Sequence, residues 1–241
     1  MKKVIRIILI MVVTICFIFG LAFLLKACGI SEGWPTRIVP FGGIISITLL
    51  FSFFIDRFKF IELGFTFNKK VFYQIIIMVC FSSLPILIGL AIDREIIIKK
   101  SLDYYILGYI SYYLLVAFSE ELLFRGYINK ILEGHKNIVK SLISGLAFSG
   151  FHFISPEFNL LTFILLFVFG MVFMYMYLLV GSIWPVIMFH LGWDVLAEYF
   201  AFYSNVLYCL LCFGIVLIIL VILKKKVFNK NLNKNSDCYI S

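Results

Sequence analysis

The chain is predicted to be all-α, an integral membrane bundle of about eight transmembrane helices forming one domain over residues 1–241. Three observations lead there. Of its 241 residues, 63% are hydrophobic and 14% charged, with a mean hydropathy of +1.08. An ordinary soluble domain is about half apolar and about a quarter charged. The apolar residues gather into long uncharged runs and show none of the alternation of an outer-membrane barrel. The 21 Lys and Arg residues flank those runs and form no patch, so the net charge of +8 reflects topology. Nucleic-acid binding is not implied.

Each element follows from the punctuation of these runs. Residues 7–25 form an uncharged stretch whose length, with Lys26 at its end, favours an uncleaved first helix over a signal peptide. Residues 29–40, holding Gly33, Pro35 and Pro40, read as a loop. A second helix is expected over 38–55, then a charged connection over 56–70. The third span, 71–92, contains Pro85, which predicts a kink of the kind membrane bundles tolerate. Ser101 or Asp103 is placed to cap the fourth helix, which starts near Tyr104 and runs past Arg125. A fifth helix over 141–154 stops at Ser155-Pro156. The turn Gly181-Ser182-Ile183-Trp184-Pro185 divides the next apolar stretch into helices over about 160–180 and 184–203. Residues 205–223 complete the set, and 224–241 form a polar tail.

Eight spans put both termini on one side. With the amino terminus in the cytoplasm, 16 of the basic residues fall inside and 5 outside, the bias expected of a cell-membrane protein with both ends cytoplasmic. The six cysteines form no disulfide framework, and Cys209-x-x-Cys212 sits in mid-span, where small polarisable side chains pack.

The chemistry-bearing residues interrupt these runs. Ser119-Glu120-Glu121 places two carboxylates where a helix is still in or just leaving hydrocarbon, a costly position that usually marks a working site. Glu121 and Arg125, four apart, share a helix face and are expected to form a structural ion pair. Glu120, about a quarter turn away, is left free to face a cavity. Phe148 and His152 are one turn apart, and His190, Asp194 and Glu198 make a polar stripe on another helix. A carboxylate one turn from His190 can fix its tautomer. Such a stripe also suits a transport path.

In this order, Glu-Glu-x-x-x-Arg, Phe-x-x-x-His and His-x-x-x-Asp resemble the CPBP family of intramembrane proteases, which includes the type II CAAX prenyl endopeptidases and bacterial proteins linked to bacteriocin self-immunity. The resemblance covers about residues 104–203. Asp194 departs from it, because asparagine is the more familiar residue there. The resemblance implies an endopeptidase acting on a peptide or membrane-protein substrate. Glu120 would activate a water with help from His152, and His190 with residue 194 would stabilise the oxyanion. An ionised Asp194 would repel that oxyanion, so it is expected to orient His190 as an acceptor.

No cofactor is expected. Zinc is the chemical rival, with Glu120, His152 and His190 as ligands and Glu121 beside them, but the chain lacks the compact His-Glu-x-x-His signature. A non-catalytic immunity or scaffold protein and a small transporter are the alternative functions. The Ile-, Phe-, Lys- and Asn-rich composition suits an AT-rich bacterial genome, in which an ordinary peptide is a better substrate than a prenylated one. A short fifth helix that starts in the cytosol and ends in mid-membrane would bring His152 to the depth of Glu120, and a cytoplasm-facing polar cavity would follow.

Overall fold

The computed structural model describes residues 2–93, 98, 106–155, 158–201 and 206–236. Among these the chain is helical, with one isolated bridge between Ile98 and Phe200. The elements are α1 (Lys2–Ala27), α2 (Trp34–Leu50), α3 (Lys69–Ser82), α4 (Leu84–Asp93), α5 (Ile106–Glu121), α6 (Asn129–Ile131), α7 (Asn137–Phe151), α8 (Leu160–Val180), α9 (Ile183–Tyr199) and α10 (Val206–Ser236). A π-helical turn over Leu122–Ile128 joins α5 to α6 without a break. Five stretches are long and apolar enough to cross a bilayer: Lys3–Ala27, Trp34–Ile55, Lys69–Ile92, Ile106–Ile131 and Leu160–Val180. The chain is thus a multi-pass membrane protein with an all-α fold. At 15 and 17 residues, α7 and α9 fall short of the ~20 that a full crossing needs.

Several boundaries differ from expectation for local reasons. Helix α2 begins at Trp34, inside the expected loop, because Pro35 suits the first helical turn, where its missing N–H costs nothing. Pro85 divides the third span at Ser83, and the side chains of Ser82 and Ser83 donate to the carbonyls of Val79 and Cys80, both at 2.7 Å. These bonds re-satisfy backbone groups at the break. Helix α7 starts four residues early, and α9 ends at Tyr199 because Phe200 is extended. Helix α10 continues through the lysines to Ser236. The expected cap at Ser101 or Asp103 and the last residues of the tail lie outside the described residues.

The loops 56–68, 129–137 and 181–183 gather at one end of the bundle. The backbone N–H of Ile183 donates to the Gly64 carbonyl at 3.0 Å, and the Ser182 hydroxyl donates to that of Thr66 at 2.8 Å. Helix α8 is capped at its far end by Asn159, which accepts from the Thr162 N–H at 3.0 Å. At the near end it closes on Gly181, whose φ of 80° favours glycine. Lysine and arginine line this near end. Lys130 pairs with Glu62 at 2.8 Å and Glu133 at 2.6 Å, and its hydrogen bonds hold both carboxyl groups below the usual carboxylate range. That attraction is present at neutral pH and is lost as acid protonates the two glutamates. Arg6 pairs with Asp56, which also accepts from the Tyr127 hydroxyl at 2.6 Å. Arg125, counted among the inside cations, is buried in the bundle, which changes the bias from 16 to 15 against 5 and leaves its direction intact.

Helices α7 and α8 cross closely where two glycines meet. A Cβ on Gly170 would lie 2.7 Å from the Gly145 Cα and 2.8 Å from the Phe148 Cβ. Gly170→Ala is therefore expected to destabilise the bundle by about 1–3 kcal/mol through overpacking. Gly214→Ala, where a Cβ meets nothing within 4 Å, should leave it unchanged. Unfolding of the purified variants in a denaturing detergent titration checks this, and equal midpoints would refute the close crossing.

Candidate active site

Four helices deliver the polar residues to one point inside the bundle. The carboxyl ends of α5 and of its π-helical extension supply Glu120, Glu121 and Arg125. Because π-turns add a residue per turn, they re-aim side chains and recur at functional sites. The carboxyl end of α7 supplies His152, held in a 3₁₀ turn that continues the helix. Helix α9 supplies His190 and Asp194, and α8 supplies the backbone carbonyl of Gly170.

Glu120 stands between the two imidazoles. Its carboxylate oxygens lie 3.8 Å from His152 Nε2 and 3.9 Å from His190 Nε2. Each ring is fixed from behind. His152 Nδ1 donates to the Phe148 carbonyl at 2.8 Å, one helical turn back. The Phe-x-x-x-His spacing therefore places the acceptor that sets the tautomer as well as a ring in contact, with centroids 4.7 Å apart. His190 Nδ1 donates to Glu121 Oε1 at 2.9 Å. Asp194 Oδ2 reaches the opposite ring nitrogen, Nε2, at 3.4 Å.

Glu121 thus does two things. Its Oε1 accepts from Arg125 Nη1 at 3.1 Å and also from His190. The sequence suggested only the first partner and gave the orientation of His190 to Asp194. In the structure the shorter contact to that ring comes from Glu121. Both side chains of the ion pair are fully buried. Arg125 also donates to the Gly170 carbonyl at 3.4 Å and packs over the rings of Phe148 and Phe173, 5.0 and 5.1 Å from the centroids. Phe173 in turn contacts the His190 ring at 5.1 Å. Aromatic faces and a carbonyl stabilise a cation that has left water.

Three residues were missed from sequence. The Tyr113 hydroxyl donates to Glu198 at 2.9 Å, one turn beyond Asp194 on the α9 stripe. Tyr113 lies seven residues before Glu120, two turns along the same face, which is the signal that points to it. Gly170 and Phe173 carry no signal, since nothing in the apolar α8 run distinguishes them.

The site is not evenly enclosed. The His152 and Asp194 side chains retain 27% and 22% of their exposure, against 7% for Glu120. Toward the lysine-rich loops the next side chains, Leu122, Leu123 and Phe124, are wholly buried. Beside the His152 turn, an apolar furrow of about 740 Å³ runs between Ile15 and Phe19 on α1 and Phe153, Phe158 and Phe163.

As to metal, among the described residues no group of three or more His, Cys, Asp and Glu side chains is arranged to hold an ion. The two Nε2 atoms lie 3.8 and 3.9 Å from the Glu120 carboxylate oxygens.

The site is thus a buried glutamate standing between two imidazoles, each held through Nδ1, inside a helical membrane bundle. The sequence model of the type II CAAX prenyl endopeptidase Rce1-like family matches residues 102–196, a stretch that takes in Glu120, Glu121, Arg125, His152, His190 and Asp194. The match is consistent with the CPBP resemblance of those motifs. No curated protein matches the chain.

Removing one member of the buried pair leaves an uncompensated charge. Arg125→Met is expected to cost about 3–5 kcal/mol, and Arg125→Met combined with Glu121→Gln should recover part of that loss. Detergent unfolding of the single and double variants measures it. A double variant as unstable as the two single losses added together would show that the pair is not coupled.

Proposed function

We propose that the chain is an intramembrane endopeptidase in which Glu120 activates a water to hydrolyse a peptide bond of a membrane-associated protein or peptide. The observation that carries this reading is the 3.8 Å spacing of Glu120 Oε1 and His152 Nε2. His152 donates its Nδ1 proton to a backbone carbonyl, so Nε2 of the neutral ring is an acceptor. The ionised Glu120 is also an acceptor. Two acceptors at that distance do not bond to each other but suit a shared donor, and a water molecule brings two O–H groups.

The water oxygen attacks the scissile carbonyl carbon while Glu120 takes its proton. The carbon–oxygen bond forms, the carbonyl electrons move onto oxygen, and the C–N bond then breaks as Glu120 passes the proton to the leaving amine. Charge developing on the carbonyl oxygen needs a donor already in place. His190, held through Nδ1 by Glu121, presents Nε2–H to that oxygen when the ring carries both protons. Asp194, 3.4 Å from the same nitrogen, accepts that one proton only until the oxyanion forms, and so holds the ring in place before the proton turns to the substrate. The match of a protease-family model to residues 102–196 supports the hydrolytic direction. The substrate partner is a polypeptide presented within or beside the bilayer, and no cofactor takes part.

Purified protein in lipid, tested against a peptide panel, gives the direct check. Glu120→Gln is expected to lower kcat by about 10²–10⁴-fold with little change in KM or in folding. Asp194→Asn, which keeps an acceptor oxygen, should retain more activity than Asp194→Ala, and equal rates would reject the orienting role. Activity should survive rigorous chelation, whereas its loss with recovery on adding zinc would establish the metal reading. Tight peptide binding with no cleavage by the unaltered protein would favour a non-catalytic immunity function.

A further inference from the structure

The burial pattern around the site is one-sided. We infer that the site is entered from the membrane face opposite the lysine-rich loops, the outer face, so that its substrate is a polypeptide presented from outside the cytoplasm. The inference rests on the peptidase reading for the word substrate, but its geometry stands alone.

Depth can be measured along the helices from the lysine-rich end. Helix α8 has 21 residues, or ~31 Å, and α7 has 15, or ~22 Å, at 1.5 Å per residue. His152 at the end of α7 therefore lies beyond the midpoint, ~9 Å short of the far end of α8. On α9, counted from Ile183, His190 is ~10 Å deep, Asp194 ~16 Å and Glu198 ~22 Å. The polar groups form a ladder that climbs away from the lysines.

Below the ladder the structure is plugged. Phe124, Tyr127, Ile128, Ile183, Val186 and Ile187 are all buried between Glu120 and the loops. The plug is tied down at its base by the Arg6–Asp56–Tyr127 and Glu62–Lys130–Glu133 contacts and by Lys3, which donates to the Glu133 carbonyl at 2.6 Å. Above it, His152 and Asp194 keep part of their surface open, Ser155 is exposed, and the stripe continues through Glu198 to Tyr113. Tyr112, half-buried on the same side, lies within electrostatic reach of Arg37, Asp194, Glu120 and Glu198. A peptide bond arriving along that route meets Asp194 and His152 before Glu120. The excess of Lys and Arg at the plugged end makes that end cytoplasmic, and the open end is then the outer one.

Accessibility of introduced thiols tests this without relying on hydrolysis. Asp194→Cys, Ser155→Cys and Lys136→Cys variants of the full chain are expressed in bacteria and exposed to a charged, membrane-impermeant maleimide. Intact cells are compared with inverted membrane vesicles, and the unaltered chain supplies the background from Cys16, Cys28 and Cys80. The expected result is labelling of residues 194 and 155 in intact cells with loss of that labelling in inverted vesicles, and the reverse for residue 136. Labelling of residue 194 from the same side as residue 136, or from neither side while residue 155 is labelled, would overturn the inference. Residues 155 and 136 labelled from one side would overturn it too. If the labelling holds and no peptide is cleaved, the entry route stands and the peptidase reading falls. If peptides are cleaved and the labelling is reversed, the opposite follows.

Discussion

The structure turns on one buried contact, the acceptance by Glu121 Oε1 of hydrogen bonds from both Arg125 and His190. A guanidinium and a carboxylate with no exposed surface are costly unless each finds partners. Arg125 finds Glu121, the Gly170 carbonyl and two aromatic faces. Among the described residues, Arg125 Nε and Glu121 Oε2 make no hydrogen bond, so the pair is not fully satisfied. A hydrophobic replacement of similar shape would pack as well. What such a replacement would lose is the placement of His190, because the carboxylate that neutralises the arginine is the one that grips the ring. Stability and site geometry therefore share an atom.

That coupling sets the role of everything nearby. The glycine crossing of α7 and α8 lets the Gly170 carbonyl approach the arginine and brings Phe148 to its face. The π-helical turn carries Arg125 and sits wholly inside the bundle. With Glu121 committed to structure, its neighbour Glu120 keeps both oxygens toward the imidazoles. Two adjacent carboxylates thus acquire different duties from their surroundings alone.

Much of this was legible in the sequence. The uncharged runs gave the helices and their order, because burial in hydrocarbon forbids free charge. The four-residue spacings already implied that Glu121 could reach Arg125 and that Phe148 could stand behind His152. Other features were not legible. The second partner of Glu121 lies 69 residues away in sequence on α9, and no local pattern encodes it. Gly170 contributes through its carbonyl, which every residue possesses. The start of α2 was misjudged because Pro35 and Pro40 were read as loop markers, when one of them suits a first helical turn. The direction in which the site opens depends on which side chains pack below Glu120, and hydropathy cannot rank those against the equally apolar residues above.

The central claim is that Glu120 acts as a base on water and does not itself attack the substrate. A single-turnover cleavage in water enriched in oxygen-18, with enzyme in excess over peptide, separates the two directly. A base mechanism places the heavy oxygen in the new carboxyl terminus during the first turnover. Unlabelled product from that turnover, with heavy oxygen appearing in the Glu120 side chain, would mean that the carboxylate is the nucleophile and would contradict the account.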